Sequence, residues 1–154
     1  MTAGVTPACA VSYGVPRAGV PAVVSFEKWI AAALAHAESK RRGCAIRVVG
    51  AVEGRALNRS WRERDYATNV LSFPSASPTV AEHAWLGDII LCAPVIAREA
   101  RTQRKRTRDH YAHLTVHGVL HLLGFDHEDP GEGRAMERLE RRVLAAFGIA
   151  DPYR

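Results

Sequence analysis

The sequence predicts an α+β fold: a small mixed β-sheet of about four strands, covered by helices, in a single domain. Three observations lead there. Short β-branched or alternating apolar runs occur at residues 9–15, 45–52, 69–73 and 85–92. Other stretches repeat their apolar residues at helical spacing. The resulting order is strand, helix, strand, helix, two strands and three helices, which suits a sheet with helices packed over it. The length of 154 residues is that of one domain. With 47% hydrophobic and 24% charged residues, the chain can bury an ordinary core. It contains no internal repeat and no dividing linker.

Residues 1 to 8 read as a mobile start and 9–154 as the domain. Cys9 to Val15 alternates and predicts a first strand, followed by a turn over Pro16 to Gly19. Ser25 is a candidate N-cap for a helix over Phe26–Ala37, whose Phe26, Ile30, Ala33 and Leu34 share one face. The stretch KRRG at 40–43 closes that helix with positive charge and a glycine. AIRVVGAV at 45–52 predicts a strand, and a short helix follows around Glu53–Trp61. NVLSF at 69–73 predicts a strand stopped by Pro74, and PSASPT at 74–79 a surface loop. WLGDIILC at 85–92 predicts a further strand. Pro94 suits the first turn of a helix running to about Arg104. Asp109–Leu123 predicts a strong helix ended by Gly124, with Glu128 and Asp129 in an exposed loop beyond it. Gly133–Phe147 predicts an amphipathic helix with Met136, Leu139, Val143, Leu144 and Phe147 on its core stripe.

Composition excludes several classes. Cys9, Cys44 and Cys92 are far apart, odd in number and form no C-x-x-C pair, so neither a disulfide framework nor a thiolate zinc site is expected. They read as small buried or half-buried hydrophobes in a reducing compartment. The N-terminus lacks a basic start followed by an apolar stretch, and the longest apolar run, Ile89–Ala97, is interrupted by Pro94. The expectation is a cytoplasmic protein with no membrane span. The net charge of +5 is compatible with a polyanionic partner. A basic cluster of Arg98, Arg101, Arg104, Lys105, Arg106 and Arg108 reads by itself as a solvated helix face and loop.

The histidines carry the chemistry. Five of the seven, His110, His113, His117, His121 and His127, fall within eighteen residues. His117 and His121 are four apart, ~400° of helical rotation, so both rings project from nearly one face and suit two ligands of one metal ion. His113 and His121 would stand ~12 Å apart along the axis. They cannot share an ion whose bonds to nitrogen are ~2 Å long. A third ligand must come from outside this helix, and Gly124 allows a return that can bring His127 toward the metal. Three imidazoles leave one tetrahedral position open, the arrangement of a catalytic zinc rather than a structural one. Such an ion can lower the pKa of water to around 7. Imidazole also suits iron, nickel and copper. The motif differs from the H-E-x-x-H of zinc proteases, because Gly118 stands where the glutamate base would be. Asp126 can orient a ligand histidine or cap a turn.

The segment HGVLHLLGFDH, residues 117–127, resembles the signature H-G-x-L-H-L-x-G-[FY]-D-H of the YbeY family of bacterial metallo-endoribonucleases. LNRSWRERDYATNVLSFP, residues 57–74, resembles the family segment L-N-x-x-[YW]-R-x-x-[DN]-x-x-T-[DN]-V-L-S-F-P, and LGDIILC, residues 86–92, resembles its L-G-D-I-x-[IL] strand. Their order and spacing extend the resemblance over roughly residues 9–153. It implies His117, His121 and His127 as ligands of one zinc ion in a cleft, and Arg62 as a catalytic residue. A guanidinium suits that task because it contacts phosphate through two parallel N–H bonds. His113 lies outside the implied ligand set and is retained as a contact to a ligand histidine or to RNA. The implied activity is single-strand-specific endoribonuclease cleavage in the maturation of the 16S rRNA 3′ end and in late 70S ribosome quality control. Ribosomal RNA and ribosomes or small-subunit precursors are then the partners, and the basic cluster gains weight as an RNA-tracking surface. The competing expectation is a non-catalytic ribosome assembly factor stabilised by its metal. A peptide hydrolase is disfavoured by Gly118.

Overall fold

The computed structural model describes residues 9–41, 43–75, 85–125 and 128–153. Four strands, β1 (Cys9–Tyr13), β2 (Gly43–Val49), β3 (Val70–Pro74) and β4 (Trp85–Cys92), form one mixed sheet in the order β1-β2-β4-β3. β1, β2 and β4 are parallel neighbours, and β3 runs antiparallel on the edge of β4. The helices are α1 (Val23–His36), α2 (Ala51–Arg62), α3 (Ala93–Thr102), α4 (Thr107–Leu122) and α5 (Pro130–Ala146). The α+β class, the four strands and the order of elements agree with the expectation. Residues 1–8, the end of the expected 74–79 loop, Asp126 and His127 lie outside the described residues.

Boundaries moved where local chemistry had a better solution. α1 begins at Val23, so Ser25 sits inside its first turn rather than capping it. Its buried hydroxyl instead accepts from Arg108 Nη1 at 2.8 Å. α1 ends at His36, ahead of the KRRG stretch, with Glu38 in the left-handed region (φ 55°) and Ser39 N–H closing on Leu34 O at 2.9 Å. Pro74 is the last residue of β3, on the sheet edge where its missing N–H costs nothing. α5 starts at Pro130, three residues before the expected Gly133. Asp129 is its N-cap, accepting from Glu132 N–H at 2.9 Å, and Pro130 occupies the first turn, where a proline is tolerated.

α4 is the central element. Residues on nearly all its faces are buried, among them Tyr111, Leu114, Thr115, Gly118 and Leu120. It lies between the sheet and α1 and α5. α1 presents Phe26, Trp29, Ile30, Ala33 and Leu34 to it, with edge-on ring contacts from Phe26 to Trp29 (5.5 Å) and Tyr111 (6.2 Å). From α5, Met136, Val143 and Leu144 are buried and Leu139 packs against the core. Phe147 is 37% exposed and lies outside the stripe, because α5 has ended before it. Cys44 and Cys92 are buried and Cys9 half-buried, all as thiols, and burial raises the pKa of each. No helix is long and apolar enough to cross a membrane among the described residues.

β2 and β4 slip register between Gly43 and Ala45, where β4 carries an extra residue. Gly87 sits at this bulge with φ +150°, and a Cβ there would overlap the Phe73 carbonyl oxygen on β3. Gly87→Ala must therefore shift the β3–β4 pairing. The expected cost is on the order of 3 kcal/mol, read as a lowered urea midpoint with an unchanged slope.

Candidate active site

Because α4 is buried on most faces, its histidines must find hydrogen-bond partners. His110 Nε2 donates to Glu99 Oε1 at 2.8 Å, and Asn69 Nδ2 donates to the same oxygen at 3.0 Å, tying α3, α4 and the start of β3 together. Burial lowers the pKa of His110, against the opposing effect of Glu99. One turn on, His113 and His117 share a second carboxylate, that of Glu140 on α5. His113 Nε2 lies 2.8 Å from Glu140 Oε2, and His117 Nδ1 lies 3.3 Å from the same atom. The Tyr153 hydroxyl donates to Glu140 Oε1 at 2.7 Å.

Glu140 is fully buried. Burial alone would raise its carboxyl pKa, but the hydrogen bonds from His113 and His117 outweigh burial and bring it down to about 2. It is therefore an ionised acceptor at neutral pH. Tyr153 is held well above the usual phenol range, by burial first and then by Glu140, so it remains a donor. Sequence reasoning missed both residues. The signal for Glu140 was present: it lies four after Met136 and three before Val143, a charge on an apolar stripe. A buried charge requires partners.

On the other side of His117 lies a small cleft of about 160 Å³, lined by Arg62, Val70, Leu71, Ser72, His117 and His121. The rings of His117 and His121 lie within 5° of parallel with centroids 6.5 Å apart, on one face of α4 as their spacing predicts. Arg62 comes from the last turn of α2. That helix is ended by Glu63 in the left-handed region, and its buried Asn58 donates to Tyr66 O at 2.7 Å. Arg62 Nη2 donates to Ser72 O at 3.0 Å, and its guanidinium lies over the Phe73 ring at 5.4 Å. The structure thus brings Arg62, His117 and His121 into one cleft. His127 lies outside the described residues.

The clustered donors fit a metal ion. Ligand atoms of His113, His117 and Glu140 lie within 4.8 Å of one another and could hold one. Larger hollows lie elsewhere, two of them bearing on the site. One, of about 760 Å³, runs over the outer face of the sheet beside Trp61 and Phe73. The other, of about 490 Å³, is lined by Arg104, Lys105 and His113 among others. Arg104 and Lys105 of the basic cluster therefore border His113 rather than the Arg62 cleft. Arg106 pairs with Asp109 at 3.1 Å, and Arg108 lies over Trp29 at 5.2 Å.

Sheet, central helix and cleft define a single-domain α+β protein with an imidazole-rich candidate metal site facing an arginine. Comparison with known proteins agrees. Residues 21–148 match the family model described as Endoribonuclease YbeY. Endoribonuclease YbeY of Stenotrophomonas maltophilia (strain R551-3) is 60% identical over 148 residues, covering 94% of this chain and 91% of the relative. That of Xylella fastidiosa (strain 9a5c) is 57% identical over 147 residues, covering 93% and 91%. The solution structure of TM1509 from Thermotoga maritima shares the fold, with a TM-score of 0.56 at 19% identity, covering 95% of this chain and 99% of that one. The chain belongs to the endoribonuclease YbeY family, a family of RNA-cleaving hydrolases.

Gly118 has a structural reason of its own. It faces the sheet, and a Cβ there would stand 2.9 Å from Ile89 Cδ1 and 3.2 Å from Cγ1 and Cγ2. Position 118 therefore could not carry a base into the cleft. Gly118→Ala gains ~1 kcal/mol of helix propensity but overpacks the interface by ~1–3 kcal/mol. A net loss of about 1 kcal/mol is expected in urea unfolding, and Gly118→Leu should fail to fold.

Proposed function

We propose that this protein is a zinc-dependent, single-strand-specific endoribonuclease of the cytoplasm. It acts in maturation of the 16S rRNA 3′ end and in late ribosome quality control. One observation carries the reading most directly. Arg62, far from the histidines in sequence, lines the same cleft as His117 and His121. In this reading His117, His121 and His127 hold one zinc ion, and Arg62 binds the scissile phosphate. Family membership supports RNA as the substrate.

When bound, the zinc supplies Lewis acidity toward the phosphoryl group. The rest falls to the chain's own groups. Of the five N–H donors of Arg62, one is spent on the Ser72 carbonyl. That bond and the Phe73 ring hold the fork in place, so phosphate binding loses little side-chain freedom. The guanidinium then orients the phosphate and stabilises the charge that develops on its oxygens, worth roughly 10²–10³ in rate where one such donor is removed.

In a metal-replete assay on single-stranded RNA carrying the 16S 3′ precursor junction, the wild type should cleave. His117→Ala should lose both zinc and cleavage. Arg62→Glu should keep zinc at full stoichiometry and lose at least ~10²-fold in rate. Full zinc content in His117→Ala would sink the ligand assignment. Wild-type cleavage by Arg62→Glu would remove Arg62 from the reaction. A metal-loaded wild type that binds ribosomal precursors without cutting would favour an assembly factor.

A further inference from the structure

The site described above holds a buried anion whose role the ligand assignment does not explain. Glu140 sits on α5, behind His117 and away from the cleft that Arg62 lines. Two arrangements are open to it. It could ligate an ion together with His113 and His117, or it could stand outside the ligand set and hold His117 in place. The 3.3 Å from His117 Nδ1 to Glu140 Oε2 fits either arrangement, and the contact of Glu140 with His113 separates them. Two ligands of a tetrahedral ion, each ~2.0–2.1 Å from the metal, stand about 3.3 Å apart. His113 Nε2 and Glu140 Oε2 are 2.8 Å apart, the length of a charge-assisted hydrogen bond.

Proton placement points the same way. At these distances the carboxylate oxygen is the acceptor, so each imidazole nitrogen facing it carries the hydrogen. His113 Nε2–H then has no lone pair for a metal, and it also lies 3.3 Å from the Tyr153 oxygen, which can accept from it. His117 donates through Nδ1, which directs its Nε2 to be the ligating atom. Tyr153 occupies the remaining oxygen of Glu140, and its ring packs edge-on against His113 at 5.4 Å. The Tyr153 backbone is itself anchored, its N–H donating to Asp151 Oδ1 at 2.8 Å, while Asp151 Oδ2 accepts from Arg141 Nε at 3.0 Å. The C-terminal segment thus closes over the carboxylate from behind. The buried carboxylate accepts three hydrogen bonds, from His113, His117 and Tyr153, and a carboxylate buried in this way favours a cation on the far side of the His117 ring.

We propose that Glu140, locked by Tyr153 and His113, is a positioning residue that fixes the tautomer and orientation of His117, and that it lies outside the metal's ligand set. This rests on His117, His121 and His127 being the ligands. It adds residues of α5 and the C-terminal segment to the machinery that sets zinc affinity.

The test uses the full chain and zinc alone. X-ray absorption on the zinc-loaded wild type counts its imidazoles, and chelator competition gives zinc affinity for Glu140→Gln, Tyr153→Phe, His113→Gln and His121→Ala. Three imidazoles are expected in the wild type. Glu140→Gln should weaken zinc by about 10–100-fold while still binding one equivalent, because the amide offers one acceptor oxygen to three donors. Tyr153→Phe should weaken it in the same direction by less, His113→Gln should still bind one equivalent, and His121→Ala should lose tight binding. Two imidazoles with a carboxylate in the wild type, or loss of zinc from His113→Gln with retention in His121→Ala, would overturn both the proposal and the ligand reading. Three imidazoles with wild-type affinity in Glu140→Gln and Tyr153→Phe would overturn the proposal alone. The wild-type spectrum and Tyr153→Phe decide the matter even where Glu140→Gln does not fold.

Discussion

Helix α4 can lie against the sheet as it does because position 118 has no side chain. The contact of Gly118 with Ile89 sets the height of the helix above β4. That height and the helical repeat then decide where its other residues fall. His117, one position earlier, turns to the cleft beside β3, and His121 follows it one turn later. A larger residue at 118 would lift α4 and with it the histidine pair. β4 makes a matching concession at Gly87, where β3 approaches too closely for any Cβ. The two glycines serve one end, since β3 carries the Ser72 carbonyl and Phe73 ring that steady Arg62.

A helix enclosed in this way has a second requirement. Where its histidines are withdrawn from water, neighbouring elements supply hydrogen-bond partners. Glu99 of α3 answers His110, and Glu140 of α5 answers His113 and His117. Each carboxylate is also a tie between elements. Asn69 reaches Glu99 from the start of β3, and Tyr153 reaches Glu140 from the C-terminal segment. The polar network around the histidines therefore also fastens α3, α5 and Tyr153 to the central helix.

Much of this was legible in the sequence, for local reasons. Strands and helices appeared in the right order because their hydrophobic periods differ. WLGDIILC matched its strand residue for residue. The shared face of His117 and His121 followed from a four-residue interval on a helix. The misplacements were also local. Ser25 offered a plausible cap but found Arg108, and Pro130-Gly131 looked like a loop although proline fits a first helical turn. Glu140 escaped notice because a glutamate in a helix is ordinarily solvated. Only its place among Met136 and Val143 marked it as buried.

By itself the sequence determined the fold class, the histidine helix and the family signature, since all three are written in short-range spacing. Tertiary structure alone decided that Arg62 faces His117 and His121. That meeting depends on how α2 ends and where β3 pairs, which no interval along the chain encodes. It alone also placed Glu140 and Tyr153 behind His117, because a buried carboxylate takes its donors from whichever elements the core packs around it.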